Sequence, residues 1–185
     1  MLRNYVFRGW LVSLLWLSLA ASCWADGLAV KSASLELKDE VYYLNASLDV
    51  ALNRTLEDAL NHGLPLNILL EFKLVKPRSF WFDEDVASVQ QNLRLSYHAL
   101  TRQYQLSSHL THKNFSNLTQ LLEELSEVRG WPVLDRSLVK KRYTYLASLR
   151  IKLDLTQLPQ PIQVNAIGAK DWNLVSEWYQ WVLNP

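Results

Sequence analysis

The carboxylates of this 185-residue chain are the side chains best suited to acid–base chemistry. They form two sequence clusters, Asp83–Asp85 in the first and Glu123, Glu124 and Glu127 in the second. Two carboxylates at a suitable separation can hydrolyse glycosidic bonds. The second cluster, however, lies opposite a stripe of leucines, as expected of the solvated face of a helix. We interpret both clusters as charged surface.

The four histidines are the residues that could bind a metal ion. His109 and His112 stand three residues apart, a spacing that lets two imidazoles share a metal on a helix. Their segment is instead typical of a strand that runs into a loop, with no acid or cysteine nearby in sequence to complete a site. His62 lies in the last turn of a predicted helix, where a cationic side chain interacts favourably with the helix dipole. His98 lies on the polar face of a predicted strand. The sequence therefore predicts neither a metal site nor a cofactor.

Motifs for nucleophilic or phosphoryl chemistry are missing from the chain. It has no Gly-x-Ser-x-Gly, no His-Glu-x-x-His and no glycine-rich phosphate loop, and it has five glycines in all. Its single cysteine is Cys23 and its single methionine is Met1. These features favour a protein that is not an enzyme. An envelope hydrolase stays open as an alternative, because a triad of distant residues is recognised by geometry rather than by spacing.

The first 25 residues are typical of a secretory signal peptide. Arg3 and Arg8 precede an apolar run over residues 10–21, and small residues at Cys23 and Ala25 suit a cleavage site. The run is too short for a comfortable membrane span. We expect cleavage after Ala25 and export to the periplasm.

Two other interpretations of this segment remain. Residues 19–23, Leu-Ala-Ala-Ser-Cys, resemble a bacterial lipoprotein box, which would make Cys23 a lipidated N-terminus. An uncleaved N-terminal membrane anchor is the other. Cleavage after Ala25 leaves residues 26–185, which have the size of one globular domain.

The charge balance excludes a typical nucleic-acid-binding surface. The chain has 19 Lys and Arg against 18 Asp and Glu, and loss of Arg3 and Arg8 leaves 17 against 18. A nearly neutral domain does not have the basic footprint that nucleic acid requires. We therefore expect a partner other than nucleic acid.

The elements that must position these residues are mainly strands. Apolar residues alternate with polar ones over 42–50, 66–74 and 143–155, with shorter candidates over 28–37, 92–99 and 102–108. Lys38–Glu40 and Leu100–Thr101 are predicted hairpin turns. One polar face on strands joined by short turns favours antiparallel sheets.

Three helices are predicted between and after these strands. The first carries Leu52, Leu56 and Leu60 with a start at Thr55. The second has an apolar stripe from Leu118 to Val128. Ser116 is predicted to cap its start, and Gly130 with Pro132 is predicted to end it. The third starts at Asp171 and is rich in tryptophan. We predict an α+β, mainly β fold: an antiparallel β-sandwich-like domain with two inserted helices and a Trp-rich C-terminal helix. One curved sheet with helices on one face is the alternative.

Aromatic residues supply the candidate binding surface. Three consecutive aromatics stand between Arg78 and the acids at 83–85, and further tryptophans lie near the C-terminus. Aromatics and arginine dominate binding hot spots. The alternative is that these aromatic side chains are buried in the protein's own core. The candidate partner-binding residues are Arg78, Phe80, Trp81, Phe82, Trp178 and Trp181.

Five segments of the chain are distinctive in combination: residues 59–66, the aromatics through Trp81, Tyr97–Tyr104, Leu153–Pro159 and the stretch from Asp171 to Tyr179. Together they resemble a family of exported proteobacterial proteins known only as a domain of unknown function. It implies no catalytic residues. Such proteins are often encoded beside a membrane sensor kinase of the nitrogen-regulation type, which implies a role accessory to signalling.

We therefore expect a non-catalytic periplasmic binding or adaptor protein whose partner is an envelope protein, with a membrane sensor kinase as one candidate. A lipid- or membrane-associated envelope component is the alternative, because the aromatics and Cys23 also suit membrane contact. An envelope hydrolase is the third.

Overall fold

The fold consists of two antiparallel sheets. The structure is a computed structural model that describes residues 27–79, 82–109 and 111–185. The predicted signal peptide with Cys23, and the candidate residues Phe80 and Trp81, lie outside the described residues. The strands are β1 Leu28–Lys38, β2 Val41–Val50, β3 Leu66–Lys76, β4 Glu84–His98, β5 Gln103–Ser107, β6 His112–Phe115, β7 Glu127–Asp135, β8 Tyr145–Leu153 and β9 Tyr179–Leu183.

The smaller sheet has the strand order β1-β2-β7 and the larger has the order β6-β5-β4-β3-β8-β9. All neighbouring strands are antiparallel. Contacts of β1 with β8 and β9, and of β7 with β4, place the two sheets against each other. The predicted α+β, mainly β, sandwich-like fold is confirmed.

The core lies between the sheets and is centred on β3. Every second residue of this strand from Leu66 to Leu74 is fully buried, and the small sheet contributes Leu44 and Leu48 to the same core cluster. Because a strand places alternate residues on opposite faces, β3 also has an outer face, which includes Glu71 and Lys73. A buried leucine or phenylalanine contributes about 1.5–3 kcal/mol, so this row fixes the position of β3.

Both predicted hairpin turns are confirmed. Between β1 and β2, Asp39 and Glu40 have φ values of 48° and 65°, the left-handed conformation that a tight two-residue hairpin requires at both positions. Between β4 and β5, Arg102 has a φ of 53°.

The two inserted helices are present: α1 spans Arg54–Asn61 and α2 spans Leu118–Leu125. Their caps differ from those predicted, because Asn53 and Asn117 occupy the N-cap positions in place of Thr55 and Ser116. Each asparagine side chain accepts a hydrogen bond from the backbone N–H three residues later, which satisfies a donor that the helix leaves unpaired. A third helix, α3 Gln160–Ala166, begins next to Pro161 and was not predicted.

The predicted Trp-rich C-terminal helix is wrong. A short 3₁₀ turn spans Lys170–Trp172, and Tyr179–Leu183 forms β9, which pairs with β8. The aromatic and β-branched residues of this segment suit a strand. In the strand, Trp181 points inward and its ring centroid lies 6.3 Å from that of Phe72.

The predicted end of the second helix is also wrong. The helix ends at Leu125, and Val128, Gly130 and Pro132 belong to β7. Gly130 has a φ of 61°, and the pairing between β2 and β7 shifts register nearby. A glycine at a β-bulge explains this local pattern. Strand β4 is longer than predicted and begins at Glu84, where the hairpin from β3 returns.

Candidate functional site

The hairpin between β3 and β4 is cross-linked at its base by an ion cluster. Glu84 Oε2 lies 2.8 Å from Lys76 Nζ and 2.5 Å from Arg78 Nη2. The backbone N–H of Arg78 donates to Asp83 Oδ1 at 3.2 Å. Charge-assisted hydrogen bonds of this kind are stronger than neutral ones. Two of the three acids in the first predicted cluster therefore have a structural role in holding the hairpin.

The electrostatics of the cluster keep Glu84 ionised. Hydrogen bonds from Lys76 and then Arg78 lower the pKa of the Glu84 carboxyl to about 2. Lys76 Nζ also lies 4.3 Å from the centroid of the Tyr143 ring, within the range of a cation–π contact. Lys76 thus connects the hairpin base to the residues that precede β8.

Phe82 lies just beyond this cluster and is 88% exposed. Arg78 is exposed on the other arm of the hairpin. Leu100, in the turn between β4 and β5, is a second apolar side chain that is fully exposed. Both turns therefore present an apolar side chain to solvent, but the Phe82 hairpin has a charged cross-link directly behind it.

Trp178 lies on a different surface, the outer face of the six-stranded sheet. Its ring centroid is 4.3 Å from Arg150 Cζ and 5.1 Å from Lys73 Nζ. Lys73 and Arg78 are five residues apart along β3 and its extension, a separation of roughly 16 Å in extended chain. The Phe82 hairpin and Trp178 are therefore positioned by the same strand.

A buried carboxylate beneath Trp178 was missed by sequence reasoning. Glu71 Oε2 accepts from Arg150 Nε at 2.8 Å and from Nη2 at 2.5 Å, and Glu71 Oε1 lies 3.0 Å from Lys152 Nζ. Burial raises the pKa of the Glu71 carboxyl, but the hydrogen bonds and charges of the two cations outweigh burial and lower it below its ordinary value. Gln90 also donates to Glu71, at 3.2 Å. The signal in the sequence was the position of Glu71, an acid on the polar face of β3, whose other face is apolar from Leu66 to Leu74.

Trp181 does not share a surface with Trp178. It contacts Phe72 on the inner face of the larger sheet and packs against the core. The alternation of a strand explains the difference, because Tyr179, Trp181 and Leu183 point inward while Gln180 and Val182 point outward. Of the candidate residues that the structure describes, Arg78 and Phe82 lie together, Trp178 lies on the outer face and Trp181 joins the core.

The histidines and the second acidic cluster have local partners. His62 Nδ1 lies 2.6 Å from the Asp58 carbonyl oxygen, and His112 Nδ1 lies 3.0 Å from Ser107 Oγ. Glu124 pairs with Lys113 at 2.5 Å. Within the described ranges no group of three or more His, Cys, Asp or Glu side chains is arranged to hold a metal ion.

A cleft with a volume of about 930 Å³ lies between β4, β5 and β7. Its apolar lining residues Leu70, Leu106, Leu125 and Trp131 are each less than 10% exposed. These residues form a packed floor, and the more exposed Leu93 and Pro132 line the cleft beside it. No described helix is long and apolar enough to cross a membrane.

The chain was compared with protein-family models, curated proteins and solved structures. The model of a family described as "Domain of unknown function (DUF4390)" matches residues 25–182. No curated protein matches the chain, and no solved structure does.

Proposed function

The chain belongs to the DUF4390 family, and for this member we propose the function of an exported, non-catalytic binding or adaptor protein of the cell envelope. Its main contact surface is the end of the hairpin between β3 and β4, which we call the Phe82 hairpin and define by its described residues Pro77, Arg78, Ser79, Phe82 and Asp83. The contacted molecule is an envelope protein.

The exposure of Phe82 on a cross-linked hairpin is the observation that carries this proposal. A phenylalanine left in water forgoes about 1.5–3 kcal/mol of burial. The ion cluster of Lys76, Arg78 and Glu84 links the two arms at the base of the hairpin, next to Phe82, which lowers the ordering entropy that a partner must overcome at this base. An exposed aromatic beside an arginine has the composition of a binding hot spot.

The N-terminal sequence supports the location. Arg3 and Arg8, the apolar run over residues 10–21 and the small residues before Asp26 form the pattern of a signal peptide. A periplasmic protein that exposes Phe82 to solvent can contact the external domain of a membrane protein. The gene neighbourhood implied by the family resemblance favours a sensor kinase of the nitrogen-regulation type as that partner, in a proteobacterial host.

The proposal is tested by replacing Phe82 with serine and Leu100 with serine as the matched control. Both side chains are exposed apolar residues next to hairpin strands, so neither change disturbs the core. Affinity-tagged chains are expressed in the native host and recovered from the envelope fraction under mild cross-linking. We expect one envelope protein to co-purify with the wild type and with Leu100→Ser, and to be lost with Phe82→Ser. Equal recovery with both variants would contradict the proposal.

A membrane surface is the second candidate for the same hairpin, because Arg78 and Phe82 also suit an interface of anionic lipid headgroups. Flotation of the purified domain with vesicles containing phosphatidylglycerol separates the two. Recovery of the wild type but not of Phe82→Ser with vesicles would replace the protein partner by a lipid surface.

A further inference from the structure

The outer face of the six-stranded sheet has an unusual composition. We define the outer face as the side of this sheet that points away from the three-stranded sheet. On β4 from Ser88 onward, on β5 and on β6, the strand alternation and the pairing registers place amides, hydroxyls, imidazoles and one arginine on this face: Ser88, Gln90, Asn92, Arg94, Ser96, His98, Gln103, Gln105, Ser107, His112 and Asn114. This part of the face contains no carboxylate.

Side-chain hydrogen bonds connect these residues in rows across the strands. His98 Nε2 lies 3.4 Å from Gln105 Oε1, and Gln105 Nε2 donates to Asn114 Oδ1 at 3.2 Å. The rows leave further amide and hydroxyl groups exposed to solvent, because an amide has two donors and two acceptor sites. The face is therefore suited to a ligand that is rich in hydroxyl and amide groups.

Cations outnumber carboxylates on the outer face, where Lys73, Arg94, Arg150 and Lys152 stand against Glu71 and Asp85, the latter opposite Val75. Arg150 and Lys152 on β8 share the single carboxylate of Glu71, so this group retains a net positive charge. Among the described residues no carboxylate lies within 4 Å of the terminal nitrogens of Lys73 or Arg94. A positive face on a chain with nearly balanced charge favours an anionic ligand, since complementary potentials raise local ligand concentration.

Trp178 provides an aromatic platform at the positive end of this face. The ring lies over Arg150 and Lys73, which project from the sheet beneath it, and the side chain is half-buried. Its position is held by the chain on both sides, because Ser176 N–H donates to the Ile151 carbonyl oxygen at 2.9 Å and Tyr179 begins β9. An indole held in this way can stack on the apolar C–H face of a sugar ring.

From these three features we propose that the outer face binds an anionic oligosaccharide. Trp178 stacks on a sugar ring, Lys73 and Arg150 bind a carboxylate or phosphate of the saccharide, and the amide rows of β4 and β5 bind hydroxyl and acetamido groups. This inference goes beyond the proposed protein contact and concerns a different surface from the Phe82 hairpin.

Other ligands fit the outer face less well. A lipid bilayer requires several apolar side chains that insert into it, whereas the outward positions of β4 from Ser88 onward, of β5 and of β6 carry none, and the exposed Val182 lies at the far edge of the sheet, on β9. An acidic peptide would gain most by pairing with a free strand edge. The amide rows described above lie on the face of the sheet and not along an edge.

The test uses two matched glycans and the purified domain without its signal peptide. The first probe is a peptide-free hexasaccharide of alternating N-acetylglucosamine and N-acetylmuramic acid, whose lactyl groups carry carboxylates. The second is chitohexaose, which has the same backbone without carboxylates. Isothermal titration calorimetry measures both. We expect binding of the acidic glycan with a Kd of about 0.1 mM or tighter and at least tenfold weaker binding of the neutral one.

Variants identify the site. We expect Trp178→Ala to weaken binding of the acidic glycan about tenfold or more and Trp178→Phe to retain most of it. We expect Lys73→Ser to weaken binding. Lys38→Ser is the matched control, because it removes the same charge from the three-stranded sheet, and we expect it to leave binding unchanged. Phe82→Ser is also expected to leave binding unchanged. The indole N–H resonance of Trp178, identified by its absence in Trp178→Phe, shifts on titration.

Three results would overturn the inference: no binding of the acidic glycan at about 1 mM, equal binding of both glycans, or binding that is the same in Trp178→Ala. Binding of phosphatidylglycerol vesicles or of poly-glutamate in place of the glycan would also overturn it. Because Phe82→Ser is expected to bind the glycan normally, failure here is distinguishable from failure of the proposed protein contact.

Discussion

Replacement of Glu71 by glutamine tests the charge cluster that holds the outer face together. The substitution keeps the size of the side chain and removes its charge, so Arg150 and Lys152 lose the carboxylate that they share. The new amide group also places N–H donors opposite the donors of Arg150. We therefore expect a lower free energy of unfolding, with little change in the shape of the core.

The exposures of the three side chains set the size of this effect. Loss of one partner from a fully buried ion pair costs about 3–5 kcal/mol. The side chain of Glu71 is 7% exposed, but those of Arg150 and Lys152 are 27% and 31% exposed and can regain water after the change. We therefore expect a loss of about 2 kcal/mol, roughly half of the buried-pair cost.

Urea denaturation followed by circular dichroism measures this loss. For a urea dependence of about 2 kcal/mol per M, a loss of about 2 kcal/mol lowers the unfolding midpoint by roughly 1 M at pH 7. Glu36→Gln is the matched control, because Glu36 is an exposed glutamate on β1 without a described ion pair. We expect its midpoint to equal that of the wild type.

The pH dependence adds a second criterion. Folding lowers the pKa of the Glu71 carboxyl from its ordinary value of 4.5. The stabilisation is therefore complete at pH values above the unfolded pKa and is lost as the pH falls below 4.5 through the folded pKa. The difference between wild type and Glu71→Gln should be constant from pH 7 to about pH 5.5 and shrink in more acid solution. A midpoint shift below about 0.2 M at pH 7, or a difference that persists unchanged in acid, would refute the reasoning.

Three further predictions concern stability and ionisation elsewhere in the fold. Asn53→Ala removes the cap of α1 and the hydrogen bond to the Asp171 carbonyl oxygen at 2.6 Å, and should cost about 1–2 kcal/mol in urea denaturation; a loss below about 0.3 kcal/mol would contradict the capping role. Gly130→Ala should cost about 1 kcal/mol in the same assay through backbone strain alone, since a Cβ there meets no atom within 4 Å, and an unchanged midpoint would argue against the left-handed conformation. Carboxyl NMR titration should give Glu84 a pKa of about 2, and a value near 4.5 would show that Lys76 and Arg78 do not bind it in solution.

The strands of the core were predictable because their residues alternate without interruption. In β2, β3 and β8 each inward position is apolar, and the opposite positions are mostly polar, so the period of two is clear. In β4 the outward positions are mostly exposed, and the inward positions are only partly buried apart from Leu95. Its first half therefore gave no comparable signal, and the predicted strand began at Asn92 rather than Glu84.

The C-terminal segment was mispredicted because its aromatics fit two periods. Trp178, Tyr179, Trp181 and Val182 make a broad helical stripe, but only Tyr179 and Trp181 of these point inward in the strand. The deciding contact, between Trp181 and Phe72, joins residues that are distant in sequence. Local propensity alone does not reveal such a contact.

The charge cluster of the outer face required the strand order as well as the strands. Sequence alternation placed Arg150 and Lys152 on the polar face of β8 and left Glu71 on the polar face of β3. Pairing of β3 with β8 brings these residues together across 79 positions of sequence. The order of the strands depends on how the inward-facing apolar residues of all strands pack together, and no single segment of the sequence determines that order. The exposed Phe82 was named as a candidate, but its exposure followed only from the hairpin geometry.

Site-specific photo-cross-linking in the native host tests the central claim most directly. A photoreactive phenylalanine analogue at position 82 is compared with the same analogue at position 100, the other exposed hairpin position. The account predicts one cross-linked envelope protein from position 82, identified by mass spectrometry and recovered again when that protein carries the tag, and none from position 100. Cross-links of equal yield and identity from both positions, or none from position 82, would contradict it.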